Sequence, residues 1–197
     1  MKGLLVKDLC MIKSYFRTYF LLIIGFIVFS SFSSENAFMF YYPVILAGTL
    51  PFSLMSYDER SRWSQYCDTL PVSRKTVVSS RYIMTLVLFL AVFLLTAAAQ
   101  LFSPYFSPAS YAANFSILVV MGLLTPTVLL PLALHFGVEK GRLFYYFIIG
   151  AFCALSIGAA SAPIDLKIPP LLLPAVSLVL FGISWMISIK IYEKKEF

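Results

Sequence analysis

Between Tyr82 and Phe102 the chain runs for 21 residues without a charged side chain, and between Ala112 and His135 for 24 more. A bilayer's hydrocarbon core, about 30 Å thick, needs about 20 helical residues to cross it. Runs of this length, apolar without alternation, constrain the chain to helices that satisfy their backbone hydrogen bonds internally while surrounded by lipid. The rest of the sequence agrees. Hydrophobic residues make up 60% and charged residues only 12%, against roughly 25% charged in soluble domains, so there is too little polar surface to face water all round.

Measured by that length, the chain divides into six candidate spans, at 15–33, 38–57, 77–102, 112–135, 143–160 and 171–191. The expected fold is an all-α integral membrane protein, a single transmembrane domain over 1–197. Fourteen of its fifteen Lys and Arg residues fall at the N-terminus, in the connections after the second and fourth spans, and at the C-terminus; only Lys167 falls on the opposite side. Basic residues mark cytoplasmic connections, so both termini are expected in the cytoplasm. The connections on the other face (34–37, 103–111 and 161–170) are too short for an extracellular domain.

Residues 1–14 read as an amphipathic helix in the headgroup region, with Leu5, Leu9, Ile12 and Phe16 toward the acyl chains and Lys2, Lys7 and Lys13 toward water. Pro43, Pro51, Pro126, Pro131 and Pro174 fall within spans, where each removes a backbone donor and bends its helix; Thr125 and Thr127 flank Pro126 and can reach the freed carbonyls. In the fifth span Gly150, Ala154 and Gly158 recur every four residues, a spacing that lets helices approach closely in lipid, within the chain or between protomers. The central turns of the spans hold no acid or base, which counts against a proton-coupled carrier.

Several chemistries are missing from the sequence. It has no phosphate-binding loop, dinucleotide fingerprint or nucleophile elbow, and its single histidine, His135, has no metal-ligand spacing around it. The cysteines Cys10, Cys67 and Cys153 lack disulfide or metal spacing. The net charge of +6 follows membrane topology rather than a nucleic-acid face. The chain is therefore expected to bind no cofactor or metal and to catalyse nothing alone; work against a gradient must draw its energy from another polypeptide.

One polar stretch interrupts this pattern. Residues 57–81 hold eight of the 24 charges. Asp58 to Asp68 reads as a short helix with Glu59, Trp63, Tyr66, Cys67 and Leu70 along one side and an Asp58–Arg62 pair at i, i+4. Pro71 ends it, and Ser73 is placed to cap a second helix that runs through Arg74 into the third span. Cys67 is expected to react with thiol reagents from the cytoplasm. Trp, Tyr and Arg suit a protein-docking surface, and Trp and Tyr equally suit a helix lying on lipid headgroups.

The arrangement Glu59-x-x-x-Trp63, Leu70-Pro71-Val72-Ser73-Arg74, Val77-Val78 and Arg81-Tyr82 resembles small bacterial permease subunits of type-2 ATP-binding-cassette exporters. Arg81 stands where these often have Lys. The opening Lys2-Gly3-Leu4-Leu5-x-Lys7-Asp8 resembles their interfacial elbow helix. The resemblance implies a multi-pass protein of the bacterial cytoplasmic membrane with two kinds of partner: a cytoplasmic ATPase that binds ATP and Mg, and a second permease protomer, identical or related.

Asp58, Glu59, Arg62, Trp63, Tyr66, Leu70, Pro71, Ser73 and Arg74 would then form the ATPase-coupling segment. Spans one, two and five would form the protomer contact and the path, with Gly150, Ala154 and Gly158 packing and Phe38, Tyr41, Tyr42 and Phe52 on its wall. Small relatives of this kind export phenol-soluble modulins or antimicrobial peptides, so the implied cargo is an amphipathic or hydrophobic peptide. The alternative is a non-transporting membrane protein, an immunity or sensor-partner subunit, that docks through the same segment.

Overall fold

The computed structural model describes residues 2–15, 17–32, 37–69, 71–101, 108–160 and 172–194. Among them are eight helices: α1 (Lys2–Tyr15), α2 (Arg17–Phe32), α3 (Ala37–Arg60), α4 (Trp63–Asp68), α5 (Arg74–Leu101), α6 (Pro108–Phe136), α7 (Val138–Ala160) and α8 (Leu172–Glu193). Each expected span lies largely in one helix: α2, α3, α5, α6, α7 or α8. Among the described residues, Arg74–Gln100, Asn114–Phe136 and Leu172–Glu193 are long and apolar enough to cross a membrane. A fourth crossing results if the bent pair Gly3–Ser14 and Arg17–Ser30, which meet at 72°, is counted as one.

α6 is the central helix, packed on α3, α7 and α8, while α5 closes the other side against α3 and α8. The core is a continuous apolar cluster that includes Val44, Leu50, Leu54, Val78, Tyr82, Leu118, Leu123 and Leu130. Hydroxyls staple it where α5, α6 and α8 meet. The Tyr82 hydroxyl lies 2.9 Å from Ser184 Oγ and 2.7 Å from Ser188 Oγ, and Ser184 Oγ donates to the Thr127 carbonyl at 2.7 Å. With no water to compete, each buried hydroxyl needs such a partner, which fixes the rotation of α8 against α5.

α3 and α6 approach closely at two glycines. A Cβ on Gly122 would lie 2.4 Å from the Phe89 ring and 2.5 Å from Val44, and one on Gly48 would lie 3.0 Å from the Gly122 carbonyl. That carbonyl is the one Pro126 leaves without its helical donor. Thr125 and Thr127 bond the carbonyls on either side of it, Met121 at 3.1 Å and Leu123 at 2.6 Å, while the freed oxygen faces the bare side of Gly48. Pro174 differs from expectation. It sits in the first turn of α8, where no intrahelical donor is required, so it starts a helix rather than bending one.

All the elements rich in basic residues converge on one end of the bundle. Lys7 of α1 bonds to Asp58 at the end of α3. Arg74 and Lys75 at the start of α5 reach Glu193 at the end of α8, through its carbonyl at 3.2 Å and its carboxylate at 3.5 Å respectively. Both ends of the described chain therefore lie at the same end of the bundle.

Candidate functional site

The polar segment 57–81 is built differently from its sequence reading at its beginning. α3 continues unbroken through Asp58 and Glu59 to Arg60, and the break comes at Arg62, whose φ of 53° is left-handed. This is a conformation that non-glycine residues adopt at a cost of about 1–2 kcal/mol. Only Trp63–Asp68 forms the short helix, closed by the Thr69 hydroxyl and N–H on the Tyr66 carbonyl at 2.7 and 3.1 Å. Asp58 and Glu59 thus belong to the last turn of α3. The reason is packing: α3's inward face stays apolar through Leu54 and Met55, and its two terminal acids have partners waiting on other helices.

Asp58 does not pair with Arg62 as the spacing suggested. It is buried, and its carboxylate accepts from the Lys7 ammonium at 2.8 and 3.0 Å and from the Arg81 guanidinium. The other arm of Arg81 donates to Asp8 at 2.8 Å, and Lys7 stands 3.3 Å from Asp8. Two acids and two bases from α1, α3 and α5 form a closed, neutral set. Burial, with Arg81 beside it, brings the Lys7 ammonium down to about 8, against the pull of Asp8. Lys7 also lies 4.4 Å from the centre of the Trp63 ring, so one cation touches both the ionic set and α4.

Asp8 also corrects the reading of α1. The face packed on the bundle carries Leu5, Asp8 and Ile12, while Leu9 is half exposed. The buried stripe is shifted by one position from the expected one because Asp8 is drawn inward to Arg81.

Glu59 turns the opposite way. Both its carboxylate oxygens accept the Val138 N–H at 3.1 Å, capping α7 with a negative charge where the helix dipole is positive. Gly137, with φ +84°, makes the α6–α7 turn, and a Cβ there would meet Glu59 Oε1 at 3.0 Å.

The rest of the segment opens outward. Tyr66 is 56% exposed, stacked at a tilt on Trp63 with centroids 5.4 Å apart, while Cys67 points inward and is buried. The burial of Cys67 thus argues against the expected reactivity of its thiol, while Cys10 is exposed. A cavity of about 60 Å³ lies behind α4, between Trp63, Cys67, Asp58, Arg81, Val138 and Tyr192 among others. Pro71 and Arg62 are at the surface. Ser73 accepts the Thr76 N–H on its hydroxyl at 3.3 Å and so caps α5. Leu70 lies outside the described residues.

The other expected sites fall in helix contacts. The Tyr41 hydroxyl donates to Asn114 Oδ1 at 3.1 Å, Tyr42 packs on Phe26 at 4.5 Å, and Phe52 is buried beneath the Arg142 guanidinium, 5.4 Å away. Gly150 is on an open face. The side chains of Phe38, Ala154 and Gly158 are outside the described residues. Sequence reasoning missed the Lys7–Asp8–Arg81 set. Its signal was an acid, Asp8, in register with Leu5 and Ile12 on a helix otherwise rich in lysine.

The profile of the family described as ABC-2 family transporter protein matches residues 3–193, nearly the whole chain. No curated protein and no solved structure matches it.

Proposed function

The chain belongs to the ABC-2 transporter family and is the multi-pass permease subunit of an ATP-binding-cassette transporter, and we propose that α4 is where its partner ATPase drives it. One observation carries this reading. α4 is a separate six-residue helix with Tyr66 facing outward, and it is seated on an ionic set that joins α1, α3 and α5. A force on Tyr66 and Trp63 passes through Lys7 to the elbow helix and through Asp58 and Glu59 to three further helices. A helix resting on headgroups has no use for such backing. The family also favours a permease over a non-transporting docking protein.

In this reading the chain makes six crossings in a bacterial cytoplasmic membrane, with α1 lying at the interface and both termini in the cytoplasm. ATP and Mg are bound by the ATPase. A second permease protomer covers the exposed α7 stripe of Leu143, Phe147 and Gly150, continued by Ala154 and Gly158. The cargo is an amphipathic or hydrophobic peptide that moves outward. Tyr41, half-buried and bonded to Asn114, and Tyr42, half-buried against Phe26 of α2, are the aromatic residues available to it, since Phe52 is enclosed.

The test is to co-express the permease with its ATPase and measure co-purification and cargo-stimulated ATP hydrolysis for Tyr66→Ala. Tyr66 is the cleaner probe, because Trp63→Ala also removes the contact with Lys7. The expected result is an intact, well-folded permease that loses most of its bound ATPase. Unchanged binding and stimulation would sink the docking role of α4.

A further inference from the structure

Beside the inner end of α3, on the side away from the ionic set, lies a polar cavity of about 170 Å³ lined by Tyr19, Ser53, Ser56, Tyr57, Arg60 and Arg142. Its lining brings two guanidiniums and four hydroxyls together without a single carboxylate. Among the described residues, neither arginine has an acid within ion-pairing distance. By contrast, Lys7 and Arg81 are balanced by two aspartates and Lys75 by Glu193. Arg142 is held with its guanidinium over the Phe52 ring, so its position is fixed by packing rather than by a counter-charge. Two guanidiniums, that of Arg142 held over Phe52, converging without an acid beside them match the oxygens of a phosphate group. The volume, about five to six times that of a water molecule in the liquid, accommodates one.

A second cavity indicates which phosphate. Along α2, within three turns beyond Tyr19, an open apolar trough of about 310 Å³ is lined by Leu21, Leu22, Gly25, Phe26 and Phe29. Tyr19, Leu22, Phe26 and Phe29 follow i, i+3, i+7, i+10 spacing, so the polar cavity and the trough share one side of the helix. The two lie end to end, cationic at the level where basic residues meet the headgroups and apolar toward the hydrocarbon.

We infer that this cleft between α2, α3 and α7 holds an anionic phospholipid, its phosphate on Arg60 and Arg142 and an acyl chain along the α2 trough. Basic pockets between membrane helices on the side of the anionic leaflet are suited to such headgroups. The lipid would lie against α2 and α7, whose outward apolar faces are broadly exposed.

The test uses the purified full chain, delipidated in detergent and titrated in native mass spectrometry. The probes are phosphatidylglycerol, phosphatidylcholine with the same acyl chains, and glycerol 3-phosphate. Phosphatidylglycerol is expected to be retained over phosphatidylcholine. Arg60→Gln with Arg142→Gln should weaken its retention by about 30-fold, or about fivefold per arginine. Arg17→Gln with Lys140→Gln removes the same charge from exposed positions outside the cavity and should leave retention within about twofold.

Leu22→Ser with Phe29→Ser should weaken phosphatidylglycerol but not glycerol 3-phosphate. Equal loss in the two charge-removal pairs would reduce the effect to bulk attraction and overturn the site. Displacement of the lipid by glycerol 3-phosphate at equal concentration, with the trough variant unaffected, would make it a free-phosphate site instead. Thermal unfolding of each variant separates lost binding from lost fold, and Arg60→Lys with Arg142→Lys, which keeps the charge, should retain the preference for phosphatidylglycerol.

Discussion

Replacing Asp58 with Asn tests the ionic set most directly. In the native protein Asp8 and Asp58 balance Lys7 and Arg81, with Lys7 2.8 Å from Asp58 and Asp8 2.8 Å from Arg81. Asp58→Asn leaves two cations facing one acid in a buried site. Breaking a buried pair by removing one partner costs about 3–5 kcal/mol, and one unit charge about 4 Å away at an effective dielectric of about 20 gives a similar figure, about 4 kcal/mol. In a chain of this size the unfolding midpoint should fall by about 10 °C, measured by size-exclusion fluorescence after heating in detergent.

The decisive comparison is the same substitution in a Lys7→Met background. There the starting set has one excess negative charge, and Asp58→Asn restores neutrality by leaving Asp8 with Arg81. The loss should shrink to less than half, giving a coupling energy of about 2 kcal/mol or more, within the range of interacting neighbours. Equal losses in both backgrounds would mean that the four charges act as separate surface ions, and the account of α4's seat would be wrong.

Three further outcomes follow. Gly137→Ala combines a left-handed φ with a Cβ 3.0 Å from Glu59 Oε1, and Glu59→Ala removes the α7 cap. Each should cost about 1–2 kcal/mol, and the double variant less than their sum, as read from unfolding midpoints. Gly122→Ala drives a methyl into Phe89 and Val44 and should cost about 1–3 kcal/mol, while Gly25→Ala, where a Cβ meets nothing within 4 Å, should be close to neutral. Because Lys7 is lowered to about 8 from the usual 10.5, the unfolded chain binds more protons than the folded one between those values. Stability contributed by this group therefore rises with pH across that window. The midpoint of the native protein should gain on that of Lys7→Met between pH 7.5 and 9.5; parallel profiles would contradict the shift.

The positions of the long helices were legible because lipid imposes one requirement on every residue of a span, and length and charge report it directly. The break between α4 and α5 was read at Pro71, in agreement with their ends at Asp68 and Arg74, but the earlier break at Arg62 was not, since nothing in an arginine announces a left-handed backbone. That conformation is imposed from outside, by α3 being held through Asp58 and Glu59 until its last turn. Asp58 and Arg62 at i, i+4 form a pattern that local geometry favours, yet Lys7 and Arg81, distant in sequence, won because the site is buried. The same long-range effect hid the approach of Gly48 to Gly122. The visible small-residue repeat was on α7, whereas the close contact within the chain joins one glycine from each of two helices.

Asp58 and Glu59 are neighbours in sequence, and α3 points one toward α1 and α5 and the other toward α7. The helix therefore carries two adjacent teeth that engage different locks. Inserting or deleting one residue in the turns just before them would rotate both by about 100° and release both partners together, while its apolar residues could still find apolar neighbours. The number of residues between Gly48, where α3 is pressed against α6, and Asp58 is thus a fixed length of the protein. Substitutions can be absorbed along that stretch, but a change in its length cannot.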